Sequence, residues 1–275
     1  MQKWEICEIE CLKFLQNKYG NEIFKFEREG GSDSTKPDIA LKKNGKKILA
    51  IEVKMKKAQC GQFVAFPNNK DKSFDYSTQN NENSNYIYAN EILDEMAKDY
   101  ERYKNPDTKG VELEIDSCYF YTWVCEFYKN KGVKYFIVEK ETEVKNLNAD
   151  NFVIIPIASF EKYFKLTALY RRKRSGSHNP SKNNFSEIEE TLLSEGFKLE
   201  KIEKIGKHVY ATFVAKKDIY KIPSTTKRFQ FKGVQDNYFK VTILSKTCNP
   251  NVIFSLELIS DQRKIDLEKF EREFL

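Results

Sequence analysis

The chain has 275 residues, 40% of them hydrophobic, and 47 Lys and Arg against 41 Asp and Glu leave a net charge of +6. That composition supplies one large or two modest cores and excludes a disordered chain. No apolar run reaches the roughly 20 residues of a membrane span, and Met1-Gln2-Lys3-Trp4 lacks the apolar stretch of a signal peptide, so a cytoplasmic protein with no membrane partner is expected.

Trp4, Cys7, Cys11, Phe14 and Leu15 recur at helical spacing and predict an amphipathic helix from about residue 3 to Tyr19. Glu8 falls inside the apolar stripe, where a carboxylate is costly unless it is paired or bound to a metal. Two readings stay open for it: an additional acidic group lining an active site, or a buried salt bridge.

The next feature is the most informative. Lys36-Pro37-Asp38-Ile39-Ala40-Leu41 is followed, after a turn at Asn44-Gly45, by Ile48-Leu49-Ala50-Ile51-Glu52-Val53-Lys54. Asn-Gly favours a type I′ hairpin, which brings Asp38 beside Glu52 and Lys54. Residues two apart on a strand share a face, so Glu52 and Lys54 project together while Ile51 and Val53 turn to the core. Carboxylate oxygens are natural ligands for hard Mg²⁺, with Mn²⁺ as a substitute. Asp38 and Glu52 would supply them, and Lys54 would position or help deprotonate a nucleophile and contact a phosphate. A bare Glu-x-Lys is usually only a solvated surface pair; the surrounding hairpin, apolar strand and preceding helix give this one its meaning.

With Pro37-Asp38, thirteen intervening residues and Glu52-Val53-Lys54 in an apolar strand, residues 1 to about 140 resemble the PD-(D/E)xK nuclease superfamily. The resemblance implies metal-dependent cleavage of DNA, with Asp38 and Glu52 as ligands and Lys54 as the catalytic lysine. It also matches Glu8 to the first-helix glutamate of many members. Spacing alone does not choose DNA over RNA.

Farther along, the Asn- and Gln-rich stretch from Gly61 to Asn81 reads as a long loop following the catalytic strand, with Gln59 and Gln62 within reach of DNA. An amphipathic helix is predicted from Asn83 to Tyr103, and strands at Ser117 to Val124, Val133 to Glu139 and Phe152 to Ile157. A short helix with Phe160, Tyr163, Phe164 and Leu169 follows. Beyond it, a helix from Phe185 ends at Gly196, and strands at Val209 to Ala215, Ile219 to Ile222, Arg228 to Phe231, Tyr238 to Leu244 and Val252 to Leu258 lead to a last helix, about Asp261 to Phe274. Six cysteines, at 7, 11, 60, 118, 125 and 248, form no CxxC pair, and His178 and His208 are the two histidines. Free buried thiols are expected.

Local charge matters more than the total. Lys42, Lys43, Lys46, Lys47, Lys56 and Lys57 surround the motif, although lysines on a hairpin edge also guard against aggregation. Arg171, Arg172, Lys173 and Arg174 lead into Ser175-Gly176-Ser177-His178, a DNA-facing or merely solvated linker in which arginine suits base edges and small residues let the backbone approach phosphate. Farther on, Thr225, Thr226, Lys227, Arg228, Lys232, Lys240 and Lys246 suit recognition of DNA, or belong to a folding or dimerisation module.

The expected fold is α/β (α+β): a restriction-endonuclease-like core over 1–170 with a central mixed β-sheet flanked by helices, a basic linker at 171–184, and a smaller antiparallel α+β module at 185–275. A stand-alone chain of this size with an added basic module resembles a type II restriction enzyme. That implies Mg²⁺-dependent hydrolysis of double-stranded DNA by a homodimer, with a cognate DNA methyltransferase in the same system. Two alternatives are a structure-specific repair or recombination nuclease and a non-catalytic DNA-binding protein.

Overall fold

The computed structural model describes residues 3–30, 35–78, 80, 85–140, 151–173, 177–224, 227–244 and 248–275. The chain divides into two units, Met1–Arg171 with Pro250–Leu275, and Arg172–Asn249. Among the described residues, no helix is long and apolar enough to cross a membrane.

The first unit begins with α1 (Lys3–Tyr19), β1 (Phe24–Arg28), β2 (Ile39–Lys43), β3 (Lys46–Met55), β4 (Lys57–Asn68) and β5 (Ser73–Tyr76). Then come α2 (Tyr86–Lys98), α3 (Tyr100–Tyr103), β6 (Val111–Glu112), α4 (Ser117–Asn130), β7 (Val133–Glu139), β8 (Phe152–Pro156), a 3-10 turn at Ile157–Lys162, and β9 (Phe164–Arg172). The second unit holds β10 (Ser177–His178), α5 (Phe185–Ser194), β11 (Leu199–Ile205), β12 (His208–Phe213), β13 (Ile219–Pro223), β14 (Arg228–Gln235) and β15 (Tyr238–Leu244). The chain then returns to the first unit with β16 (Pro250–Leu258) and α6 (Lys264–Glu271).

A mixed sheet in the order β1-β2-β3-β7-β8 organises the first unit. Its pairs are antiparallel except β3 with β7, which is parallel. Alternation along β7 sends Tyr135 and Ile137 into a core shared with α1 and α6, and Phe136 and Val138 into a second core shared with α2, α4 and the sheet β5-β4-β16-β9-β6. Strands buried on both faces are rigid platforms. On β3, Ile51 and Val53 face the α1 core, and each such burial contributes about 1.5–3 kcal/mol. A one-residue slip would exchange them with Glu52 and Lys54 and drive that charged pair into the α1 core, so the register is strongly specified.

Several sequence expectations change. Ser117 to Val124 is not a strand but the first half of α4. Its buried residues Phe120, Trp123, Val124, Phe127 and Tyr128 follow helical spacing, and Asp116 caps it by accepting from the Cys118 N–H. The expected loop from Gly61 to Asn81 is largely strand: β4 runs into a hairpin with β5 and pairs on its other edge with β16. The expected helix around Phe164 to Leu169 is β9, whose residues alternate between buried and more exposed. Pro250–Leu275, expected in the C-terminal module, packs in the first unit, because β16 zips along β4. The thiols of Cys7, Cys11 and Cys60 are buried as expected, but Cys118 and Cys248 are exposed.

Asp266 ties α6 to this unit. It is 1% exposed and accepts from Ser159 Oγ at 2.8 Å and Tyr163 OH at 2.9 Å, with Arg263 and Lys269 as ionic partners. Asp266→Ala strands two buried hydroxyls and should lower unfolding stability by about 3 kcal/mol. Urea melts with a shift below about 1 kcal/mol would show that this cluster does not anchor the helix.

In the second unit, β11-β12-β15-β14-β13 form an antiparallel sheet, with β10 also on β15. One face packs Val209, Ala211, Phe229, Phe231 and Val241 against Ile188 and Leu192 of α5. By alternation, the other face carries Tyr210, Thr212, Arg228, Gln230, Lys232, Tyr238, Lys240 and Thr242, all half-buried or exposed. Tyr210 and Tyr238 stack on it at 5.0 Å with an interplanar angle of 3°.

Candidate active site

The β2–β3 hairpin turns where the sequence predicts it. Asn44 and Gly45 adopt φ of 51° and 79°, the paired positive values of a type I′ turn. The register sets Ile39 against Ile51, Ala40 against Ala50 and Leu41 against Leu49. One step farther, Asp38 stands beside Glu52, and its Oδ2 accepts from the Val53 N–H at 2.9 Å.

Lys54 Nζ donates to Glu52 Oε1 at 2.7 Å. A lysine that the sequence did not flag, Lys131, donates to Oε2 of the same carboxylate at 3.2 Å. The side chain of Glu52 is 5% exposed, that of Lys54 12% and that of Lys131 4%, so this triad is shielded from bulk water and Coulombic attraction is little screened. Both ammonium groups also lie over the Tyr128 ring, at 5.5 Å and 5.2 Å. Burial alone would depress the Lys54 pKa, but the Glu52 carboxylate, with Tyr128 and Asp38, holds it well above its usual value.

Of this group Lys54 lines a cleft of about 470 Å³, whose walls also include Trp4, Glu8, Asp38, Lys57 and Gln59, with Glu52 directly behind Lys54. Burial, followed by the repulsion of Glu52, raises the Asp38 pKa to about 6. With a folded-state pKa above the unfolded one, Asp38 binds more protons in the native state between about pH 4 and 6, so the metal-free protein gains stability from this group as pH falls through that window. Urea titrations in EDTA should show that gain, and Asp38→Asn should remove it. A parent and variant with the same pH dependence would contradict the assignment.

Glu8 is buried and its Oε2 accepts from Arg28 Nε at 2.8 Å and from Arg28 Nη2. Of the two readings of Glu8, the salt bridge is therefore present, and the carboxylate also lines the cleft. Burial raises its pKa against the opposing hydrogen bond from Arg28.

The other predicted contacts scatter. Lys57 is exposed and paired with Glu257 at 2.8 Å. Gln59 bonds to Gln62 at 3.2 Å, and Lys56 is half-buried in the bend between β3 and β4. Arg171, at the end of β9, is half-buried, while Arg172 and Lys173 are exposed. Ser177 and His178, expected in an irregular linker, form β10 against Leu244 and Ile243. Lys227 is tied to Glu187 at 2.5 Å, whereas its neighbour Arg228 is exposed. Arg174, Thr225, Thr226 and Lys246 lie outside the described residues. Lys131 escaped the sequence because a lysine at a helix C-terminus is commonplace. It reaches Glu52, 79 positions away, only because Gly132, at φ 76°, turns the chain into β7 beside β3.

Among the described residues, no group of three or more His, Cys, Asp and Glu side chains could hold a metal ion. The pair Asp38 and Glu52 nevertheless fits Mg²⁺, which commonly uses one or two carboxylates and completes its shell with water and phosphate oxygens. Each carboxylate oxygen has a second lone pair, so the lysine contacts do not exhaust Glu52.

The chain is similar to the solved structure of HhaI endonuclease in complex with DNA, at 32% identity over 99% of each chain and a TM-score of 0.76. No protein-family model and no curated protein matches it.

Proposed function

This chain belongs to the family of HhaI endonuclease, and we propose that it is a Mg²⁺-dependent type II restriction endonuclease hydrolysing double-stranded DNA at a specific short sequence. The observation that carries the reading is the convergence of Asp38, Glu52 and Lys54, two hard oxygen donors and a cation, with Asp38 and Lys54 lining one cleft and Glu52 bonded to Lys54. The neighbour's DNA-bound state supports DNA as the substrate.

Asp38 and Glu52 would hold the ion. A divalent cation there supplies Lewis acidity, lowers the pKa of water and offsets charge on the phosphate. Asp38 must be ionised for this, and with its pKa raised to about 6 in the metal-free site protons compete with the cation, so metal affinity falls progressively as pH drops below about 6. Lys54, kept protonated by Glu52 in spite of burial, suits electrostatic stabilisation of the scissile phosphate better than proton abstraction. Glu8, held by Arg28, orders the cleft wall. The basic, tyrosine-bearing sheet face of the second unit contacts the duplex, through Arg228, Lys232 and Lys240. Two-fold symmetric sites call for a homodimer, and a cognate methyltransferase would protect host DNA in the cytoplasm.

Incubation of unmethylated phage DNA with Mg²⁺, followed by end sequencing, tests the reading. A discrete ladder with one sequence at every end is expected. Cuts confined to branched or flapped substrates would make the protein a structure-specific nuclease, and DNA left intact in both Mg²⁺ and Mn²⁺ would make it a binding protein.

A further inference from the structure

Glu52 meets two ammonium groups, and they are not equivalent. Lys54 lines the cleft, whereas Lys131 comes from the turn after α4 and, with its side chain 4% exposed, approaches Glu52 Oε2 from within the core, beside the rings of Phe127 and Tyr128. A carboxylate as buried as Glu52 is costly unless its charge is compensated. If Lys54 were its sole counter-charge in the metal-free site, that lysine could not turn outward before an ion was bound without leaving Glu52 uncompensated.

We propose that Lys131 is a positioning residue: it anchors Glu52 from the core side, holds its carboxylate beside Asp38, and thereby frees the cleft-lining Lys54 to engage the substrate. The inference rests on the metal-site reading of Asp38 and Glu52. Its logic is that of outer groups around metal sites, which orient a ligand without touching the metal. Lys131 makes no contact with the cleft's contents; its effect is transmitted through the direction of one carboxylate.

The test compares Lys131→Met and Lys131→Arg with the parent, by Mn²⁺ binding from the loss of the free-ion EPR signal and by the Mg²⁺ dependence of plasmid cleavage. Deleting a positive charge near the acids would by itself tighten cation binding. Anchoring predicts the opposite sign: Lys131→Met weakens Mn²⁺ binding about 10-fold and raises the Mg²⁺ needed for half-maximal cleavage in step, while Lys131→Arg, which keeps a charged donor, recovers most of the loss. Unchanged or tighter Mn²⁺ binding by Lys131→Met overturns the proposal, as does failure of arginine to rescue.

Lys131→Met should fold, because Glu52 keeps Lys54 at 2.7 Å; if it does not, Lys131→Gln, which keeps a hydrogen-bond donor without the charge, takes its place with the same sign expected, and unchanged or tighter Mn²⁺ binding by the folded Lys131→Gln contradicts the proposal. A parent that cuts no DNA, with Lys131→Met still weakening Mn²⁺ binding, defeats the nuclease reading and leaves the anchor standing. A parent that binds no Mn²⁺ defeats both.

Discussion

Lys54→Ala should leave the protein folded and able to bind DNA but lower single-turnover cleavage by about 10³-fold, the usual scale for removing a group that stabilises charge at the reacting centre. The fold survives because Glu52 keeps its second ammonium partner at 3.2 Å. Chemistry suffers because Lys54 is the lysine of the buried pair that lines the cleft. Lys54→Arg should recover little, since the site between Glu52 and Tyr128 is shaped around a compact ammonium and a planar guanidinium is bulkier and aims its donors differently. Single-turnover rates on plasmid at saturating Mg²⁺ give the answer. A loss under about tenfold would remove Lys54 from the chemical step.

Replacing Arg228, Lys232 and Lys240 together with Glu is expected to weaken DNA binding by about 10²-fold near 0.1 M salt, and their replacement with Ala to flatten the slope of log affinity against log salt by about 3. All three stand by alternation on the same face of the second unit's sheet, opposite the α5 core. The stacked pair Tyr210 and Tyr238 lies among them. Neighbouring cations are already engaged: Lys227 pairs with Glu187 and Lys201 with Glu203, so Lys227→Ala should change the slope far less. Binding in Ca²⁺-containing buffer without turnover, measured by fluorescence anisotropy at several salt concentrations, separates these outcomes. A triple variant with the parent's slope would mean that this face does not meet phosphate.

The site was legible where its determinants are local. A two-residue period, an Asn-Gly turn and an apolar strand suffice to place Asp38, Glu52 and Lys54 together, and the hairpin register delivers them. Lys131 and Arg28 were not legible, because each reaches the site through a long-range pairing that nothing in the flanking sequence announces. The misread elements fail for separate reasons. Tyr119, Tyr121 and Trp123 alternate like a strand within α4, and only a window reaching Phe127 and Tyr128 exposes the helical period. β4 looks like a loop because its glutamines and asparagine mask the buried Cys60, Phe63 and Ala65. The return of β16 and α6 to the first unit is invisible in the sequence, where contiguity favours assigning them to the module they follow.

On the proposed reading, Asp38 and Glu52 capture a divalent cation beside Lys54 and this trio breaks DNA. The most direct test is a side-by-side digestion of one plasmid by the parent and by Asp38→Asn, purified identically, in Mg²⁺ and in EDTA. Discrete fragments are expected from the parent in Mg²⁺ alone. Fragments produced equally by Asp38→Asn, or by the parent in EDTA, would contradict that reading.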